Sequence, residues 1–220
     1  MNIDLSLTKA ISKEITHTTL DMAIDYSKMG FDEIINNDIL KEIPIIKTIA
    51  SITRISINIR EIFFVKKLLT FLKEFHSQEI DEDKLHKFKI QFDTDEKYRI
   101  KVTEQIMIYN DAFLIVEKSK ILAKLFRAHI EGTFDWDYFN YLSICLSNAH
   151  PKAFVYLNKL SKNEFVLPEA PDKREELGLK RDNESEVLLS ACGLGHSFSS
   201  WSSGFKISQL GKDMFEYGMK

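Results

Sequence analysis

The chain has 220 residues, 44% apolar and 29% charged, with a net charge of −3. That balance excludes a disordered polyelectrolyte, and the length suffices for a buried core without disulfides or metals. Apolar runs stay short of the roughly 18 residues of a membrane span, and MNIDLSLTKAISKEITHTT, with Asp4 and Glu14, lacks a signal-peptide core, so a cytoplasmic protein is expected.

Residues 5–29 carry Leu7, Ile11, Ile15, Leu20, Ala23 and Ile24 near the helical period, with Gly30 as a stop. FDEIINNDILKEI predicts a short helix or turn, with Asn36, Asn37 and Asp38 as caps. Pro44 is expected to start one long helix reaching Phe75, because proline's missing N–H costs nothing at the first helical position. Ile45, Ile49, Ile52, Ile55, Ile59 and Ile62 form one face, and Lys47, Ser51, Arg54, Asn58 and Glu61 form the opposite one. The alternation of Ile55, Ile57 and Ile59 argues for a strand, but the matching polar stripe favours helix.

Further helices are expected over DEDKLHKFKIQF, from Asp93 with Glu96 in capping-box spacing, from Asn110 or Asp111 to Gly132, after Asp135, and from Pro151. Residues 163–183 hold ten charged residues, two prolines and a glycine, and read as a linker or exposed loop. In the tail, EVLLSACGL reads as a helix end or strand and GHSFSSWSSG as a turn. Phe205 and Ile207 alternate with Lys206 and Ser208 as in a half-buried strand, and KDMFEYGM closes the chain as a helix.

Charge is unevenly spread. Residues 1–43 net −4 and residues 44–75 net +4, so the acidic start is expected to pack near the basic helix. Lys47, Arg54, Arg60, Lys66 and Lys67 are the candidate interaction surface, joined by Trp201 in the serine-rich turn. They read first as a solvated or ion-paired face. Used functionally, they would meet an acidic protein or an anionic membrane surface.

No catalytic, cofactor or metal residue is assigned. Cys145 and Cys192 form no C-x-x-C pair and fit a reducing compartment, although one bridge between them stays open. Cys192 and His196 are near in sequence, but a thiol nucleophile also needs geometry and an orienting group. Gly193-x-Gly195 lacks the rest of a phosphate loop and reads as a turn. Histidines 17, 76, 86, 129, 150 and 196 show no metal-ligand spacing. The Asp81-Glu82-Asp83 triplet and the Asp135/Asp137 pair are read as helix-start residues.

The tract Ile59-Arg60-x-x-x-Phe64-x-Lys66-Lys67-Leu68-x-x-Phe71-Leu72, after a proline-started apolar helix, resembles a group of small bacterial proteins, some from phage or mobile elements. KSKILAKLFRAHIEGTFDWDYFNYLSICLSNA resembles a later block of the same group, so the similarity covers residues 38–160. No activity is attached to that group, and no functional residue carries over. The tail from Gly193-Leu194 to Phe205-x-Ile207-x-x-Leu210-Gly211 resembles the closing part of a winged-helix domain, which implies nucleic-acid contact. Residues 180–220 nonetheless hold five basic and five acidic side chains, a poor complement to phosphate.

The expected fold is all-α: a multi-helix bundle over 1–161, a linker over 162–183, and a winged-helix-like α+β element over 184–220. The expected function is a non-enzymatic interaction or regulatory protein of a bacterial cell or mobile element, with a protein as partner. The alternative is a nucleic-acid-binding regulator that uses the C-terminal element.

Overall fold

A computed structural model describes residues 5–30, 33, 37–52, 59–199 and 203–220. They are mostly helical, with one small three-stranded antiparallel sheet. The chain divides into two compact units, 1–133 and 134–220.

The first unit opens with α1 (Leu5–Thr16). The sequence carried this helix to residue 29, but it stops at Thr16 because the Glu14 carboxylate turns the chain back. That carboxylate accepts from the Thr19 amide at 2.8 Å and from the Thr18 and Thr19 hydroxyls. A single turn follows, α2 (Asp38–Lys41), where the Asn37 side chain accepts from the Leu40 amide as a cap.

The expected long helix is present as two pieces, α3 (Pro44–Ile52) and α4 (Ile59–His76). Continuity through 53–58 concerns residues outside those described. Even so, α3 and α4 approach within 8 Å between Cα atoms. The pieces pack on different partners, α3 on α1 and α4 on two of the three helices described next. Ile59, assigned to the apolar face, is 67% exposed.

Three helices complete the unit: α5 (Glu82–Thr94), α6 (Glu96–Ala112) and α7 (Glu117–Ile130). Asp81, expected only as part of an acidic helix start, caps α5 by accepting from the Lys84 amide at 3.1 Å. The cap of α6 is Asp95, two residues beyond the expected Asp93, and its carboxylate accepts from the Tyr98 amide at 3.0 Å. The chain does not break at Asn110, which lies inside α6 with its side-chain amide donating to the Ile106 carbonyl. Gly132 ends α7 with φ +76, a conformation that suits glycine. Packing of α4 on α6 and α7, with α5 alongside, buries Phe71, Phe75, Phe88, Phe92 and Phe126 together.

His76, at the end of α4, donates from Nε2 to the Glu14 carbonyl at 2.8 Å, and burial holds its pKa below the ordinary imidazole value. Well above pH 6.5 the ring is neutral folded or unfolded, so it adds no pH dependence. Below it the unfolded chain takes up a proton that the buried ring resists, and stability falls with pH. The thermal midpoint should therefore drop between about pH 7 and 5, and more steeply than in His76→Gln. Equal slopes in the two proteins would contradict this assignment.

The second unit begins with α8 (Trp136–Asn148), capped by Asp135, and α9 (Pro151–Leu160), opened by Pro151 as expected. The stretch expected to be a linker is structured. It contains β1 (Val166–Leu167) and α10 (Pro171–Glu176). Then come α11 (Asn183–Ala191), β2 (Gly195–Ser199), β3 (Ser203–Ile207) and α12 (Gln209–Met214), which continues as a wider π turn to Met219.

The sheet order is β1-β3-β2, all antiparallel, with Leu167 opposite Phe205 and Gly195 opposite Ile207. Phe205 and Ile207 are buried and Lys206 is exposed, the alternation read from the sequence. On this sheet α11 packs against β2 and α12 against β3. Among the described residues no helix is long and apolar enough to cross a membrane.

Candidate functional site

The basic residues of the candidate surface are largely engaged within their own unit. Lys47 pairs with Glu42, and Arg60 with Asp111 at 2.7 Å, both at the surface, where such pairs contribute about 0–1 kcal/mol. Lys66 donates to the Met29 carbonyl at 2.8 Å, and Lys73 to the Ile24 carbonyl at 2.6 Å. The acidic N-terminal segment thus meets these two lysines of α4 through main-chain oxygens rather than carboxylates.

Lys67 is buried, and its ammonium donates to the Asp111 carbonyl at 3.1 Å and the Phe113 carbonyl at 2.7 Å. There it caps the C-terminal end of α6, whose last carbonyls lack helical partners and favour a cation. Burial lowers its pKa, the Asp111 charge opposes that shift, and Arg60 adds to it. Arg54 and Trp201 lie outside the described residues.

The thiols are packed rather than activated. Cys192 is buried and donates to the Leu189 carbonyl at 3.4 Å, while His196 sits at an exposed position of β2 opposite Lys206. Burial, with Cys192 nearby, pushes the Cys145 thiol up, which favours the unreactive protonated form. Gly193 makes a turn at φ +78, as read from the sequence. A Cβ on Gly195 would fall 2.6 Å from the Phe205 ring, so that glycine serves close packing. Among the described residues no group of three or more histidine, cysteine, aspartate or glutamate side chains could hold a metal ion.

The second unit holds a charged network and a recess that the sequence did not reveal. Glu186 of α11 is buried, paired with Arg181 at 3.0 Å, and accepts from the Tyr156 hydroxyl at 3.3 Å. Burial first, and the Glu186 charge second, raise the Tyr156 pKa, so the phenol stays a donor. Tyr156 borders a recess of about 430 Å³ together with Lys159, Lys162, Asn163 and the 177–180 loop.

Two consecutive residues after Asn163, Glu164 and Phe165, take left-handed backbone at φ 50 and 62, which costs an L-residue roughly 1–2 kcal/mol each. The Phe165 amide closes this turn by donating to the Leu160 carbonyl at 2.9 Å. The charge density of 163–183 hid these features. Usable signals were Pro171 at a helix start, Asp182 three residues before Ser185, and Leu177 with Leu179 among the charges.

The outer side of the α9–α11 pair is also distinctive. Lys152 of α9 pairs with Glu184 of α11. Three residues further along each helix stand Val155 and Val187, 59% and 66% exposed. Asn183, Ser190 and Ala191 complete the exposed positions of α11, a helix without lysine or arginine.

Comparison of the chain with protein-family models, curated proteins and solved structures gives no match.

Proposed function

We propose that residues 134–220 are a winged-helix domain joined to a helical bundle, and that the chain is a non-enzymatic regulatory protein acting through protein contacts. The order helix, strand, helix, helix, strand, strand from α9 to β3, with β3 central in the sheet, supports the winged-helix reading. A loop with Gly178 at φ +63 separates α10 from α11, so α11 stands in the recognition-helix position.

The chemistry of α11 argues for a protein partner. Phosphate-directed binding needs cations that displace counterions, and the only charges on this helix are Glu184 and Glu186. What it offers instead is the exposed Val187, with Val155 exposed on α9, the helix packed against it. Exposed aliphatic side chains backed by a neutralised ion pair suit a protein surface. This valine pair is the observation that carries the proposal.

The double variant Val155→Lys/Val187→Lys should fold with an unchanged far-UV spectrum yet lose a protein that co-purifies stoichiometrically with the wild-type chain from its own cells. Retention of that protein by the folded variant would overturn the proposal.

The sheet favours a second reading, duplex binding, because His196 and Lys206 face each other at exposed positions of the β2–β3 hairpin. A low-salt gel shift weakened by Lys206→Glu would support it, and no shift at low salt would remove it.

A further inference from the structure

We propose that the recess between the end of α9 and the 177–180 loop binds a small phosphorylated ligand of about mononucleotide size. Its volume, about 430 Å³, falls within the roughly 300–1,000 Å³ typical of small-molecule sites. Three lysines line it, Lys159, Lys162 and Lys180, and no aspartate or glutamate does. Among the described residues none of the three makes an ion pair.

The Asp182 carboxylate, held below its usual pKa first by Ser185 and least by Lys159, is engaged by the Ser185 amide at 3.1 Å and hydroxyl at 2.8 Å. The helix dipole accounts for lysines at the end of α9, namely Lys159 and the following Lys162. It does not account for Lys180, which comes from a different element and converges on the same space. Three like charges around one concavity repel each other until an anion enters.

The rest of the lining fixes the ligand class. Leu177 and Leu179 supply apolar wall, with the buried Tyr156 behind them, so the site suits a phosphate group carried on an apolar body. A bare oxyanion would use the lysines alone, and lysine acts there as a compact point charge rather than a geometry-reading fork. The site does not depend on what α11 contacts, since none of its lining residues belongs to that helix.

Isothermal titration of the full chain with ATP, with inorganic tripolyphosphate and with a short DNA duplex, at low and moderate salt, tests the proposal. ATP should bind more tightly than tripolyphosphate, the difference reporting the apolar wall. The triple variant Lys159→Ala/Lys162→Ala/Lys180→Ala should weaken ATP at least about tenfold, a loss of about 1.4 kcal/mol. A control, Lys87→Ala/Lys97→Ala/Lys120→Ala, makes the same charge change in the first unit and should leave binding unchanged. The proposal is overturned if ATP gives no binding at millimolar concentration, if the control loses as much, or if only the duplex binds.

Discussion

Phe126→Ala is expected to remove about 3–5 kcal/mol from the first unit, a large share of the roughly 5–15 kcal/mol that holds a typical domain together. The ring is fully buried in α7. Its centroid lies 5.4 Å from Phe75, 6.1 Å from Phe71 and 5.7 Å from Phe88, so it joins α4, α5 and α7 at one point. Truncation loses the transfer energy of the ring and leaves a cavity lined by other rings that cannot all collapse into it. Urea unfolding followed by far-UV circular dichroism measures the loss. Phe63→Ala is the internal control, because Phe63 is about half exposed and its removal should cost within about 0.5 kcal/mol. A Phe126→Ala loss as small as the control's would contradict the packing described.

Gly211→Ala should damage the second unit nearly as much, although it adds only one methyl group. The new Cβ would lie 2.2 Å from the Leu194 carbonyl oxygen and 2.4 Å from Ile207 Cγ2. The first of these is backbone, held in place because the Ser208 amide donates to that same oxygen at 3.0 Å. Ser208 also fixes the start of α12, accepting from the Gly211 amide at 3.1 Å and donating to the Gly193 carbonyl at 2.7 Å. The methyl therefore has to push α12 off the sheet, and overpacking of this kind costs about 1–3 kcal/mol or more. Both tryptophans, Trp136 and Trp201, belong to residues 134–220, so tryptophan fluorescence reports this unit. Its thermal midpoint should fall by several degrees in Gly211→Ala, while Gly178→Asn, in open space at a left-handed position that asparagine tolerates, should change it little. Equal midpoints for Gly211→Ala and the wild type would show that the helix is not seated as described.

Local signals were readable wherever the deciding atoms lie within a few residues. Asp81, Asp135 and Pro151 open helices as their chemistry dictates, and Gly132 closes one. Long-range partners decided the rest. The +4 charge of residues 44–75 suggested carboxylate partners, yet Lys66, Lys67 and Lys73 donate to carbonyls of Met29, Asp111, Phe113 and Ile24, and carbonyl placement leaves no trace in composition.

Strand β1 is only two residues long and exists because Leu167 finds Phe205 across 38 positions of chain, so no local period could mark it. Once β1 and α10 are placed, a stretch read as linker becomes the centre of a unit, and the lysine-lined recess appears beside it. The lysines themselves were visible in the sequence. Their convergence was not, because Lys180 reaches the same space as Lys159 and Lys162 only through the fold.

The proposed role rests on the outer side of α11, and photo-cross-linking from that side tests it most directly. A photoreactive amino acid in place of Val187, in the full chain and in its own cells, should yield a discrete cross-linked protein. That product should vanish when Val155→Lys is added. Cross-linking to nucleic acid from position 187, or the same protein product with and without Val155→Lys, would contradict a protein-docking surface on this helix pair.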